Sequence, residues 1–171
     1  MKSIKYIQAE YQKLMQIRRA LQVLFHGLGL SVSVGGSYAL RWHSEKFVNR
    51  ENHDYDFIVR GDLKGIQQAR QILIALLSLG LIQHPGDVQA SDSGSWTFGE
   101  YEGCKIDIIL TEGDACPCMA IESLADIARA KLIYNAKHRR KGLPPRQKDV
   151  EDLEILKSIL GENHPNIHWD K

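Results

Sequence analysis

The sequence predicts an α+β fold in which a small mixed β-sheet is flanked by helices and followed by a C-terminal helical hairpin. Three observations support this prediction. Helical and strand-like hydrophobic periods alternate over residues 4–111, the strand-like segments are short, and only helical periods follow them. This order of elements is that of an α+β or an α/β protein, and we take α+β as the prediction.

The first elements are a long helix, a short strand and a short helix. Apolar side chains recur at spacings of three and four over residues 4–26, which predicts an amphipathic helix that ends in a glycine-rich turn. The stretch 31–36 alternates as a strand and stops at a glycine turn. Residues 37–43 follow as a short helix with Ser37 as its candidate N-cap, and the polar stretch 45–53 is predicted to be a loop.

The middle of the chain predicts a strand, a helix and a β-hairpin. Residues 54–61 are rich in β-branched and aromatic residues and end in glycine. Residues 62–80 begin with a capping aspartate and carry a helical apolar period. A loop is expected over residues 83–95, and two β-rich runs within residues 95–111 join at a Glu-Gly turn.

The last third of the chain predicts two helices. Residues 121–140 form the first, and two prolines within residues 141–147 interrupt the pattern. Residues 148–161 form the second helix, which ends at a glycine. The polar tail, residues 162–171, is expected to be loosely held.

Composition and charge are those of an ordinary folded protein. The chain has 171 residues, of which 43% are apolar and 25% charged, so we expect one domain over residues 1–171, with a core at 30–112 and C-terminal helices at 122–160. The net charge of +1 excludes a strong overall field for nucleic acid. The longest apolar stretch, residues 72–82, is too short for a membrane span, and the N-terminus lacks a signal-peptide pattern. We therefore predict a cytoplasmic protein with no membrane partner.

The three cysteines fit that location, because an odd number in a chain of this size is not a disulfide framework. Cys116 and Cys118 flank a proline. Two thiols in a turn are the simpler interpretation, since a zinc site would need further ligands such as His84 or His138.

Two aspartates stand one residue apart on the predicted strand 54–61. Residues two apart on a strand point to the same face, so Asp54 and Asp56 are expected side by side. Asp107 interrupts an otherwise apolar strand, where a carboxylate is costly unless it is paired or bound to metal. If the two strands are neighbours, the three carboxylates predict a Mg²⁺ cluster of the kind used in phosphoryl or nucleotidyl transfer. The alternative is that Asp54 and Asp56 are merely solvated on an edge strand.

A glycine-serine turn precedes this strand. Gly35, Gly36 and Ser37 lie between a strand and a helix, where backbone N–H groups and a helix N-terminus can hold a phosphate. The alternative is that the glycines simply make a turn.

These motifs in this order resemble the DNA-polymerase-β-like nucleotidyltransferase superfamily. The stretches GGSYALRWH and NRENHDYDFIV more narrowly resemble the bacterial branch that contains AbiEii-type toxin transferases and aminoglycoside nucleotidyltransferases. The resemblance covers residues 32–60 well, 104–110 moderately and 123–156 loosely. The 16 residues between Ser37 and Asp54 are more than many members have. A nucleotidyltransferase-like sheet with flanking helices is the fold that this resemblance implies.

The resemblance also implies roles for individual residues. Asp54, Asp56 and Asp107 would be the catalytic residues and the ligands of Mg²⁺, with Mn²⁺ as a substitute, and Asp107 would help deprotonate an acceptor hydroxyl. The nucleotide would be bound by Gly35, Gly36, Ser37, Arg50, Lys131, Lys148 and Asp149.

The C-terminal part of the chain contains two features that are visible without the resemblance, Lys131 and the segment 137–148, and the resemblance adds Asp149. Lys131 falls on the apolar face of its predicted helix, where it either extends along the helix edge or reaches phosphate oxygens. The resemblance implies that Asp149 orients a lysine or contacts a ribose, and the alternative is that it merely favours the first turn of the last helix. The segment 137–148 carries seven basic residues, counting His138, and no acidic one. It is either a solvated loop or a surface for a phosphate-rich acceptor, and it contains no interleaved aromatic residues.

The function predicted from the sequence is a Mg²⁺-dependent nucleotidyltransferase. It would move a nucleoside monophosphate from an NTP to the hydroxyl of an acceptor, either RNA such as tRNA or a small hydroxylated molecule. A toxin-like role with an antitoxin partner is part of this prediction. The alternative is a non-catalytic relative that binds a nucleotide or a protein on the same scaffold.

Overall fold

The computed structural model describes residues 4–47, 54–80, 95–101 and 104–169. Its elements in chain order are α1 (Ile4–Leu24), β1 (Ser31–Val34), α2 (Gly36–His43), a 3₁₀ turn (Glu45–Phe47), β2 (Asp54–Gly61), α3 (Leu63–Ser78), β3 (Ser95–Tyr101), β4 (Cys104–Glu112), α4 (Leu124–Arg140) and α5 (Gln147–Leu160). This confirms the predicted order of helices and strands. None of the helices in those ranges is long and apolar enough to cross a membrane.

The strands form one four-stranded sheet in the order β1-β2-β4-β3. β2 is antiparallel to β1 and parallel to β4, whereas β3 is antiparallel to β4 at the edge. A parallel pair needs a crossover connection, and α3, which packs against both β2 and β4, lies in that connection. The mixed sheet, its flanking helices and the hairpin of α4 and α5 confirm the α+β prediction.

One face of the sheet forms the main hydrophobic core. Along β2 the side chains alternate, so that Tyr55, Phe57 and Val59 are buried. They pack with β1, β4 and the apolar faces of α1 and α3, including Leu14 and Leu73. Because this face is filled with apolar side chains, the polar residues of β2 all lie on the opposite face.

A second hydrophobic cluster joins α2 to the C-terminal hairpin, and it corrects two expectations. Phe47 is fully buried in this cluster with Leu40, Ile127 and Leu156, so Glu45–Phe47 is an ordered turn and not part of a loop; residues 48–53 lie outside the described ranges. Ile167 of the tail is buried in the same cluster. The tail as far as residue 169 is therefore packed, because its apolar side chain completes the cluster.

Glu122 connects the start of the hairpin to the sheet. The backbone of residues 120–122 pairs with Val34, through bonds of 2.8 Å from Val34 N to Ala120 O and from Glu122 N to Val34 O. Ser33 Oγ donates to Glu122 Oε1 over 2.6 Å, and Arg60 places its two Nη atoms 3.0 and 3.2 Å from the carboxylate oxygens. Along β2, Arg60 is four residues from Asp56 and six from Asp54, and side chains at even spacings on a strand point to the same face. Arg60 therefore lies on the polar face of the sheet, and its ion pair with Glu122 fixes the start of the hairpin there.

Replacing Glu122 with alanine is expected to lower the free energy of unfolding by about 3 kcal/mol, because it leaves Arg60 and the buried Ser33 without their partner. Urea unfolding measures the change. Glu162 pairs with Lys157 at the surface, and Glu162→Ala should change stability by less than about 0.5 kcal/mol. Equal effects of the two variants would contradict the role given to Glu122.

Candidate active site

Three aspartates lie on the polar face of the sheet, and we call them the acidic cluster: Asp54, Asp56 and Asp107. Asp54 and Asp56 alternate with the buried Tyr55 at the start of β2. The parallel register of β2 and β4 places Asp56 directly opposite Asp107. Neighbouring strands are about 4.8 Å apart, and register partners share a face. The structure therefore brings together three acids that come from two separate parts of the chain.

Asp56 is the electrostatic centre of the acidic cluster. Burial, and then the negative charges of Asp107 and Asp54, raise the pKa of Asp56 to about 6, although Lys148 and Lys131 act in the opposite direction. Lys105 Nζ lies 3.7 Å from Asp107 Oδ2 as a partly exposed ion pair. Even with these lysines nearby, ionising Asp56 costs more free energy in the folded protein than in water, and a bound cation would offset this cost.

The glycine turn before α2 lies against Asp56. Gly36 has a φ of +57°, and a Cβ built on it would stand 1.9 Å from Asp56 Oδ2. Gly35 N donates to the backbone carbonyl of Asp56 over 2.8 Å. Only glycine fits at position 36, so the turn brings the N-terminus of α2 to the acidic cluster.

The prediction that Ser37 caps α2 is wrong. Gly35 is the N-cap and has no side chain to offer, and α2 already begins at Gly36. Ser37 is buried within the first turn. The helix begins one residue before the serine, at Gly36, because this glycine makes the turn that lies against Asp56.

The acidic cluster fits Mg²⁺ in the type of its donors, because hard cations prefer carboxylate oxygens. The raised pKa of Asp56, caused by burial and then by two like charges, is the observation of this structure that supports the fit. Within the described residues, however, no three acidic, histidine or cysteine side chains already converge as a metal-binding group. The donors share a face, and their carboxylates would have to turn toward a common point. Mn²⁺ prefers the same ligands.

Lys131 forms a buried cluster with two acids of α5, which we call the lysine triad: Lys131, Asp149 and Asp152. Lys131 Nζ lies 2.5 Å from Asp149 Oδ1 and 2.9 Å from Asp152 Oδ2, and both carboxylates are fully buried. This explains why a lysine falls on an apolar helix face, since its ammonium group joins α4 to α5. Its charge still reaches Asp56, but its nearest contacts are carboxylates.

Arg146 lies beside the lysine triad. Its Nε donates to Asp149 Oδ2 over 2.7 Å, and its guanidinium lies 4.7 Å from the ring centroid of Tyr134. Burial alone would raise the pKa of Asp149, but hydrogen bonds from Arg146 and Lys131 outweigh it and hold that pKa below its usual value. Asp149 therefore stays ionised and holds two cations.

Several residues here were missed in the sequence. Asp152, Arg146 and Tyr134 are not among the predicted site residues. Two spacings were available as signals: the aspartate three residues after Arg146 at a helix start, and the helical spacing of four between Tyr134 and His138, whose rings lie 4.4 Å apart. The sequence does not indicate the contact between Tyr134 and Arg146, because Tyr134 precedes the basic segment in the chain and meets Arg146 only in the fold.

The remaining predicted residues divide into three groups. Gly35, Gly36 and Ser37 lie next to the acidic cluster, and Lys148 is exposed and acts on Asp56 through its charge. Asp149 is buried against Lys131 and Arg146. Arg50 lies outside the described residues.

The two cysteines of the Cys-Pro-Cys stretch are close together and unlinked. Cys116 Sγ and Cys118 Sγ are 3.2 Å apart, and both are free thiols. The ring of His138 lies tilted against that of Tyr134, and His84 lies outside the described residues. The structure thus shows two free thiols in a turn.

Asp56→Asn is expected to stabilise the metal-free protein at neutral pH. The folded pKa of Asp56, about 6, lies above its unfolded value, so the wild type loses stability as pH rises from about 4 to about 6. The variant escapes this loss and should gain about 1–3 kcal/mol at about pH 7.5 and little at about pH 4. Urea unfolding in EDTA at both pH values measures it, with the exposed Asp114→Asn as control. An equal gain at both pH values would contradict the assignment of strain to Asp56.

Comparisons with known proteins give a distant likeness. No protein-family model matches the chain, and no curated protein matches it significantly. Among solved structures, the chain is similar to an antigenic nucleotidyltransferase-like protein from Paracoccidioides brasiliensis, with 14% sequence identity, a TM-score of 0.47 and an alignment that covers 91% of this chain and 80% of that chain. An activity must therefore be argued from the geometry of the acidic cluster.

Proposed function

We propose that this protein is a Mg²⁺-dependent nucleotidyltransferase. One observation carries the proposal: the parallel register that sets Asp56 opposite Asp107, with Asp54 on the same face and the glycine turn of α2 against Asp56. Acidic side chains beside a helix N-terminus suit a substrate that combines divalent cations with phosphates. In the reaction, an acceptor hydroxyl oxygen bonds to the α-phosphorus of an NTP, the bond to the β-phosphate oxygen breaks and pyrophosphate leaves.

The acidic cluster would hold the metal. Bound Mg²⁺ would neutralise charge on the phosphates and lower the pKa of the acceptor hydroxyl. Asp107 faces Asp56 across the strand pair and would accept the proton of that hydroxyl. The contribution of the chain is then positioning and electrostatic stabilisation, which is typical of phosphoryl transfer.

The triphosphate would lie at the start of α2. The backbone at Gly36 and the first turn with Ser37 would provide N–H groups and the positive end of the helix dipole, while Gly35, whose N–H is bonded to the Asp56 carbonyl, would shape the turn. Lys148 adds an exposed cation whose field reaches Asp56. Arg50 stays a prediction.

The acceptor that we propose is RNA, such as tRNA. α4 ends in Lys137, His138, Arg139 and Arg140, and the following Lys141 is exposed. This end of the helix provides cations for a phosphate backbone. A small hydroxylated acceptor, a toxin-like role and an antitoxin partner stay predictions.

A non-catalytic nucleotide-binding protein is the second candidate. It is favoured by the finding that no three possible ligands converge as a metal-binding group within the described residues. The two candidates differ in whether a labelled nucleotide is transferred or only bound.

Asp56→Asn is expected to reduce nucleotidyl transfer at least about a hundredfold, because it removes a charged group at the reacting phosphates. Each NTP labelled at the α-phosphate is incubated with the protein, Mg²⁺ and a cell extract, and the label is traced to its acceptor. Asp114→Asn should retain transfer. Transfer by the Asp56 variant at the wild-type rate would refute the catalytic assignment, and binding of NTP by the wild type without transfer would establish the non-catalytic candidate.

Replacing Lys137 and Lys141 together with glutamate is expected to weaken binding of tRNA at least about tenfold at about 100 mM salt and to flatten its salt dependence, because phosphate contacts release counterions. Fluorescence anisotropy of labelled tRNA measures both. Arg19 and Lys64, which are exposed on α1 and α3, provide the control pair with the same change in net charge. The same loss in both double variants would contradict a specific acceptor surface.

A further inference from the structure

Arg146 is held in place on two sides yet exposed. Its Nε donates to the buried Asp149, its guanidinium lies over the face of Tyr134, and its side chain is 57% exposed. The bond to Asp149 uses only Nε, so the N–H donors of both Nη groups stand beyond it. A guanidinium that is already oriented by a carboxylate and an aromatic ring loses little conformational freedom when it binds a ligand.

The charge of Arg146 acts on the acidic cluster. Asp56 is one of the groups that raise the pKa of Arg146, after the hydrogen bond to Asp149 and the fields of Asp149 and Tyr134, while burial acts in the opposite direction. Arg146 and Asp56 therefore interact electrostatically, although they come from α5 and β2. A ligand that reaches the acidic cluster also meets the field of Arg146.

Lys131 is less suited to bind an anion than Arg146. Its ammonium group contacts two fully buried carboxylates, and its side chain is only 15% exposed. The lysine triad carries a net charge of −1, and adding Arg146 brings the group of four to zero. Lys131 thus neutralises the interior, while Arg146 presents its charge at the surface.

We propose that Arg146 binds a phosphate of the substrate triphosphate, and that Asp149 and Tyr134 are positioning residues that aim its guanidinium. This inference rests on the proposed function, which it deepens by assigning the cation that receives the triphosphate. The planar donors of arginine match phosphate oxygens in pairs, which the ammonium group of lysine cannot do. The arrangement explains why Asp149 is fully buried and ionised, since a carboxylate exposed to water would hold the guanidinium less firmly.

The test measures binding of inorganic tripolyphosphate in the presence of Mg²⁺ at about 150 mM salt, where long-range surface attraction is screened. Arg146→Ala should weaken binding at least about tenfold, and Arg146→Lys should restore only part of the loss. Arg129 provides a matched control, because it is also a partly exposed arginine paired with an aspartate three residues away, and it lies on the other side of α4 from Lys131. Arg129→Ala should bind as the wild type does.

Tyr134→Leu keeps the inference testable if Arg146→Ala disturbs the fold. It leaves the ion pairs in place and removes the aromatic face, so we expect tripolyphosphate binding to weaken about threefold. Thermal unfolding checks that each variant is folded. The proposal is overturned if folded Arg146→Ala binds like Arg129→Ala, if Arg146→Lys restores binding fully, or if Tyr134→Leu binds like the wild type when Arg146→Ala is unfolded.

These outcomes are distinct from a failure of the proposed function. Tripolyphosphate has no nucleoside to transfer, so a protein that binds it through Arg146 but transfers no label supports the inference and refutes the transferase. Conversely, transfer by the wild type together with unchanged tripolyphosphate affinity of Arg146→Ala supports the transferase and refutes the inference. Absence of tripolyphosphate binding by the wild type overturns the role of Arg146.

Discussion

The parallel pairing of β2 with β4 is the constraint on which the rest of the site depends. It places Asp56 against Asp107 on neighbouring strands, where two carboxylates repel each other. A sheet accepts this arrangement only if other interactions offset it. The opposite face supplies them, because Tyr55, Phe57 and Ile108 are buried in the main core and hold the register that opposes the acids. A slip of β2 by one residue would turn Tyr55 and Phe57 to the polar face, so the core enforces the juxtaposition of the charges.

The C-terminal hairpin shows the same division between support and function. Its apolar side chains pack on α2, and Glu122 ties its entrance to Ser33 and Arg60. This attachment joins the hairpin to the sheet, and Lys131 and Lys148 of the hairpin lie within electrostatic reach of Asp56. Buried charges such as those between α4 and α5 gain little net stability over an apolar interface, and we infer that their role is to fix how the two helices are oriented. The orientation in turn determines where Arg146 stands.

The features that depend on local spacing were predictable from the sequence. The alternation of Asp54 and Asp56 with Tyr55 places both acids on one face of the strand whatever the topology of the sheet. The helical period of the apolar residues around Lys131 likewise marks this lysine as a polar residue on an apolar face. The sequence does not reveal which distant side chain each of these residues contacts in the fold. That Asp107 stands opposite Asp56 follows from a parallel pairing across about fifty residues of chain, and that Lys131 contacts Asp152 follows from helix packing. Single apolar residues in polar stretches, such as Phe47, were undervalued for the same reason, because their burial depends on a distant surface.

The distribution of charge supports the proposal that the polar face binds a ligand. A purely structural sheet would relieve the acidic cluster by placing an arginine directly against Asp56, as Arg60, four residues further along β2, is placed against Glu122. Instead, Arg146 is directed to Asp149, and the lysines act on Asp56 through their fields, which leaves its pKa raised by burial and by Asp107 and Asp54. Groups that reduce the stability of a protein while standing beside a glycine turn and exposed cations are typical of a binding or catalytic site, because the ligand supplies the missing compensation.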